Sequence, residues 1–182
     1  YNDNRRGYMA HDITVIAHHL GSKGLNKLAY QAEPDAIVWT YSDDGLLLGY
    51  TYEREQEVLA WHRHTLSGTD AAVESVAVIP DSNGADDRLW LIVKRTVNGG
   101  TVRYIEVVDE AETDRFSDSC LVYSGAATTT ITGLGHLEGE EVSVLADGAV
   151  HPNRTVSSGS ITLQREAEDA VVGLPMTAKF TT

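Results

Sequence analysis

Asp44-Gly45-Leu46-Leu47-Leu48-Gly49-Tyr50-Thr51-Tyr52-Glu53 is the stretch that decides the fold. Leu46, Leu48, Tyr50 and Tyr52 fall on one face, with Leu47, Gly49, Thr51 and Glu53 opposite, the period of a half-buried strand. Asp44-Gly45 separates this run from Ala36–Tyr41, and glycine tolerates the positive φ of a tight turn, so the two runs are expected to form a hairpin. Val58–Thr65 follows the polar Glu53–Glu57 turn as a third strand.

Working outward, a second unit repeats the design. Val73–Ile79 reads as a strand closed by the turn cluster Pro80-Asp81-Ser82-Asn83-Gly84. Arg88–Val97 and Thr101–Val108 are expected to pair across Asn98-Gly99-Gly100. Laying Ile37 on Val76, Leu46 on Leu89 and Leu59 on Arg103 or Tyr104 gives a spacing of about 40 residues, the length of one propeller blade. Two blades cannot close a propeller, so sheet edges would be left for a partner or further chain to cover.

The remainder divides around these units. Residues 1–26 read as a connector, in which Asp12 caps a short helix over Ile13–Leu20 closed by Gly21, although Ile13-Thr14-Val15-Ile16 also suits extended chain. The blade-like sheets span residues 27–110. Residues 111–118 form an acidic linker, and 119–182 a small β-sandwich or barrel with strands at Leu121–Tyr123, Thr128–Ile131, Glu141–Leu145, Ser160–Leu163 and Ala170–Ala178. Asp147-Gly148 and Ser158-Gly159 supply turns. No segment has the pattern of a long amphipathic helix, and the expected class is all-β.

Composition narrows the function classes. The 182 residues are 42% hydrophobic, without an apolar run long enough to span a membrane, so no membrane insertion is expected. Cys120 is the only cysteine and cannot form an internal disulfide. Residues Tyr1 to Gly7 lack the apolar core of a signal peptide, and the absence of an initial Met suggests a piece of something longer. A formal charge of −13 repels phosphate backbones and argues against ordinary nucleic-acid binding.

The search for chemistry finds no catalytic, cofactor or metal site. His62 and His64 share a strand face and could chelate one metal, but no third ligand presents itself, and a solvated or interface strand beside Trp61 explains them better. His18 and His19 diverge, and His11, His136 and His151 stand alone. Asp86-Asp87 and Glu140-Glu141 are expected to face solvent, and Cys120 to be a small buried thiol without a nucleophile's signature. Thr132-Gly133-Leu134-Gly135-His136 lacks the third glycine of a dinucleotide loop and reads as a turn. Asn153-Arg154-Thr155 matches a glycosylation acceptor only formally. Trp39, Trp61 and Trp90 lie in strands, where core packing between sheets explains them better than a sugar-stacking platform.

Several of these blocks together resemble a phage and prophage tail-protein family. They are Leu28-Ala29-Tyr30-Gln31, Ile37-Val38-Trp39, the run from Asp44 to Gln56, and Ala60-Trp61-His62-Arg63-His64. The second unit contributes Val73 to Ile79 and Asp87 to Gly99, and the C-terminal region His136-Leu137-Glu138-Gly139, Val144-Leu145-Ala146-Asp147-Gly148 and Gly173-Leu174-Pro175. The resemblance covers most of Leu28 to Phe180, and members of that family look like the nozzle, or tail tubular protein B-like, components of short-tailed phages. It implies a structural, non-enzymatic virion protein, made in the bacterial host cytoplasm, within a longer parent. That parent would assemble with other tail subunits into a homo-oligomeric ring, sixfold by expectation, through which DNA passes without specific binding. An acidic lumen would let DNA slide. The other expectation is a tail-tip module for a host surface glycan or protein, using exposed aromatics such as Tyr8, Tyr123 or a surface Trp; a degradative tail enzyme ranks third.

Overall fold

A computed structural model describes residues 12–15, 17–53, 55–108 and 117–176. Tyr8, His11, most of the acidic linker and the end of the last expected strand lie outside the described residues. What is described is nearly all antiparallel β-structure, in three sheets, as the strand periods require.

The first sheet is a meander of β1 (Asn26–Gln31), β2 (Ile37–Tyr41), β3 (Leu47–Glu53) and β4 (Val58–His64). The Asp44-Gly45 turn joins β2 to β3 as expected, with Tyr41 opposite Leu47. Gly45 is needed there twice over. Its φ is +81°, and a Cβ would lie 2.4 Å from that of Ala72, because the Gly45 carbonyl accepts a bond from Val73 N at 2.9 Å. The turn thus docks on the start of the second sheet.

That second sheet is a three-stranded meander of β5 (Thr69–Pro80), β6 (Asp87–Val97) and β7 (Gly100–Val107). Its β6–β7 turn is the two residues Asn98 and Gly99, both with positive φ (49° and 73°), the geometry that matches strand twist. The two sheets share one core of Ile37, Trp39, Leu47, Val73, Val76, Leu89, Leu91 and Val93. Ile37 and Val76 both belong to it, but Leu46 lies outside while Leu89 lies within. The 40-residue correspondence therefore holds for strand order and not for every side-chain direction.

A polar clamp locks this core at its rim. Trp39, only 3% exposed, donates its indole N–H to Gln31 Oε1 at 2.7 Å. The amide nitrogen of Gln31 in turn reaches the carbonyls of Glu33 (3.3 Å) and Asp87 (3.4 Å). Asp87, expected to face solvent, instead accepts from the backbone N–H groups of Ala32 and Glu33 and ties β6 to the end of β1.

The C-terminal sheet has the order β10-β9-β11-β8, from β8 (Asp118–Thr132), β9 (Glu141–Ala146), β10 (Ala149–Thr155) and β11 (Ser160–Leu174). Leu121–Tyr123 and Thr128–Ile131 are thus one long strand, and so are Ser160–Leu163 and the first part of Ala170–Ala178. Both strands bend at register shifts, such as that between Thr162 and Ala167, where polar and small residues interrupt the alternation without ending the ladder. The linker boundary also moves by one residue, since Asp118 already belongs to β8. β10 comes back against the first half of β11, where His151 Nε2 accepts from Gln164 N at 2.9 Å and Arg154 Nε donates to the Thr162 carbonyl at 2.8 Å. The enclosed core runs from Ile131, Leu134 and Leu137 through Val142 and Ile161 to Val172 and Leu174.

The second and third sheets meet through a buried cation. Arg95 is 1% exposed, donates Nε–H to the Ser67 carbonyl at 2.8 Å and holds the Glu106 carboxylate in a two-pronged ion pair. Ser67 N–H is taken by the Asp118 carboxylate at the start of β8. The expected helix shrinks to α1 (His18–Gly21), while Asp12 accepts from Thr14 N and Oγ1 rather than capping a longer run. No helix among the described residues is long and apolar enough to cross a membrane.

Replacing Gln31 by Leu leaves the indole N–H of Trp39 buried without its acceptor. The expected loss is about 1–3 kcal/mol of folding stability, measured by urea unfolding, with wild-type stability contradicting the clamp.

Candidate functional site

The register of the first sheet gathers its aromatic side chains. Tyr30, Val38, Tyr50 and Trp61 are successive neighbours across the four strands and so project from one face, opposite to the face carrying Ala29, Trp39, Gly49 and His62. The second set packs on the shared core. The first forms an outer face beside which residues 12–15 and 17–20 lie, with Trp61 Nε1 donating to the Ile13 carbonyl at 2.9 Å. Between this segment and β4 is a groove of about 590 Å³ lined by Ile13, Val15, Leu20, Tyr50, Leu59 and Trp61 among others. The ring of Tyr50 lies 5.1 Å from that of Trp61 and 6.4 Å from that of Tyr52.

The centre of this outer face is covered, with Leu48 0% and Tyr50 5% exposed, while its margins on β1 and β4 stay open. Leu28 is 68% exposed, Tyr30 57% and Leu59 53%. The second sheet has a similar outer face, with rows Ser75–Ile92–Ile105 and Ala77–Trp90–Val107, in which Ile105 is 74% exposed. Of the three tryptophans only Trp39 fills the core between sheets. Trp61 and Trp90 are half-buried on outer faces, a correction to the expectation that all three pack inside. The alternation shows which strand positions share a face; which face becomes the core depends on sheet pairing that a single strand does not reveal.

His62 and His64 do come together. His62 Nδ1 and His64 Nε2 are 2.6 Å apart, so one ring donates to the other and at least one is neutral. Both rings lie against Trp39, with centroids 5.5 and 5.3 Å away, and His62 Nε2 also meets Thr51 Oγ1 at 3.2 Å. The His62 ring occupies the space over Gly49, where a Cβ would lie 2.1 Å from its Cε1. Burial lowers the pKa of His62, and burial followed by repulsion from His62 lowers that of His64. Among the described residues no group of three or more His, Cys, Asp or Glu side chains is placed to hold a metal. The pair is packing at the margin of the shared core.

The other candidates fall into structural positions. His18 and His19 form part of the short exposed helix. His136 donates Nε2–H to the Ser119 carbonyl at 2.9 Å, while Tyr104 Oη donates to the His136 carbonyl at 3.0 Å. His151 is held as the Nδ1–H tautomer, donating to the Pro152 carbonyl and accepting at Nε2. Cys120 sits half-buried on β8. Tyr123 packs on the C-terminal core and donates to the Ala126 carbonyl, which takes it out of an exposed binding platform. Asp86 is exposed as expected. Glu140 accepts from Asn98 N, and Glu141 from Asn153 Nδ2 on β10, within the formal glycosylation triplet. Gly133 and Gly135 lead Leu134 and Leu137 into the core. No protein-family model matches the chain, and no curated protein matches it.

The pKa shifts have a defined consequence. With folded values below the ordinary imidazole value of about 6.5, the unfolded chain binds more protons than the folded one in that window. Stability is therefore unaffected above it and falls as pH drops through it. NMR titration should place both imidazoles below ordinary histidine, and this part of the pH slope should vanish in the His62→Gln/His64→Gln double variant; values at or above ordinary histidine would contradict the packing.

Proposed function

We propose that the chain is a structural, non-catalytic β module of a bacteriophage tail, of the tube or nozzle type, belonging to a larger tail subunit. The observation that carries this reading is the set of exposed apolar side chains on the outer sides of the two meander sheets, at the β1 and β4 margins of the first and along Ile92, Ile105 and Val107 of the second. Monomeric soluble proteins rarely leave such patches open, and contiguous ones mark surfaces made to be covered. Tyr30, Leu28 and Leu59 on one side, and Ile92, Ile105 and Val107 on the other, suit packing against further sheets in series, as blade-like units require. The resemblance of the strand blocks to tail proteins points the same way. In this reading the chain contributes rigid walls, adjoining tail subunits supply the missing covers, and the acidic balance of −13 keeps passing DNA from sticking. Electron microscopy of the full-length parent should show rings of fixed subunit number. Isolated monomers under assembly conditions would count against the tube.

A second reading is favoured by one feature, the aromatic groove of Tyr50, Leu59 and Trp61, whose rings could stack on a sugar of the host surface. A glycan array probed with the 182-residue chain decides it: binding lost in Trp61→Ala supports a tip module, and no binding removes that role.

A further inference from the structure

β4 meets the shared core through two side chains. Val58, Ala60, His62 and His64 share its core side, and of these Val58 and Ala60 are exposed. The imidazoles of His62 and His64 are the groups that reach Trp39, at 5.5 and 5.3 Å between ring centres. No residue of the strand is fully buried, and among the described residues β4 pairs with β3 alone. An edge strand held this way has few apolar contacts of its own and depends on the two rings.

The contact between the rings limits how many protons they can carry. With His62 Nδ1 2.6 Å from His64 Nε2, one nitrogen donates and the other must offer a lone pair. His62 Nε2 meets Thr51 Oγ1, a hydroxyl that donates or accepts as either tautomer requires. The closed pair therefore accepts at most one added proton, because a second would set N–H against N–H.

The surroundings do not offset a second charge. The row of His62 crosses Gly49, Trp39 and Ala29, and that of His64 crosses Leu47, Tyr41 and Asn26, where Asn26 already holds the Asp43 carboxylate. The second sheet brings Val73, Val76, Leu89, Leu91 and Val93 to this core, and its inward charges, Arg95 and Glu106, are paired with each other. Arg63 projects from the far side of β4, where Asp12 and His19 line the groove. Burial, joined for His64 by repulsion from His62, disfavours charge on both rings. His64 is nonetheless exposed at its edge, so protons from solvent reach the pair.

We infer that His62 and His64 form an acid-sensitive latch: closed, they hold β4 on the core, and when both rings are charged β4 separates from β3. The direction follows from counting protons. The released strand binds two at the ordinary imidazole value of about 6.5, and the latched strand binds at most one. The ratio of released to latched strand is therefore level above that value and rises about tenfold for each pH unit below it. Leu59 and Trp61 leave with the strand, so the groove they share with residues 12–15 and 17–20 loses one wall. Trp39 loses its cover on that side and keeps its bond to Gln31. The latch is independent of the tail reading, which rests on the outer margins of the sheets.

Native-state hydrogen exchange of the 182-residue chain tests it, followed by NMR from about pH 7.5 to about pH 5 and corrected for the intrinsic rate at each pH. Protection of the β4 amides bonded to β3 should fall at least about tenfold across this range, while that of the central strand β6 stays level. His62→Gln/His64→Gln should abolish the fall, and the comparison of β4 with β6 in the unaltered chain decides even if that variant does not fold. Level protection of β4 in acid, which His64 turning alone into water would give, would overturn the latch. So would an equal fall in β6, or a fall in β4 that survives in the double variant.

Discussion

The indole of Trp39 is the contact on which the arrangement of the first two sheets depends. It is the largest side chain of their shared core, and its one polar atom is satisfied by Gln31, whose own amide reaches the second sheet at Asp87. The two histidines of β4 close the other side of the ring. A buried indole needs both an apolar surround and an acceptor, and the two requirements fix the sheets in position and orientation. Everything on the outer faces follows, because orienting Trp39, Ile37 and Leu47 inward turns Tyr30, Tyr50 and Trp61 outward.

The same economy of polar groups explains part of the acidity. Asp147 accepts from the backbone N–H groups of Glu168 and Asp169, which holds its carboxyl below the ordinary range, and Glu138 accepts from those of Ser158 and Gly159 in the turn before β11. Asp87 and Asp118 tie one sheet to the next in the same way. These carboxylates are fixed by backbone donors, and their number reflects how many turns and sheet junctions a three-sheet molecule contains.

The tight turns were the most legible feature. Asn98-Gly99, Asp147-Gly148 and Ser158-Gly159 all adopt positive φ at both residues, and such pairs announce themselves wherever they occur. β1 and β10 were not read as strands. In β1, Leu28 and Tyr30 face outward while Ala29 and Gln31 face the core, so its apolar pattern is inverted. In β10, Pro152 and Asn153 suggest a loop, but proline is tolerated on an edge strand and the core position there is taken by His151. The buried Arg95 did leave a signal: it follows Leu89, Leu91 and Val93 at strict alternation and so had to point inward. The proximity of His62 and His64 was legible from their spacing. Their contact with Trp39 was not, since it requires the pairing of three strands.

Among the described residues, two apolar cores are joined by polar contacts at Arg95–Ser67–Asp118, Tyr104–His136 and Asn98–Glu140, and apolar side chains remain exposed on the outer sides of the first two sheets. The exposed apolar side chains along the sheet margins are the feature on which the proposed assembly role rests. The most direct measurement is hydroxyl-radical footprinting of Leu28, Tyr30, Leu59 and Ile105 in the free chain and in the tail assembly proposed for it. The account predicts that all four are labelled in the free chain and strongly protected in the assembly. Equal labelling in both states would show that these faces are ordinary surface and would contradict it.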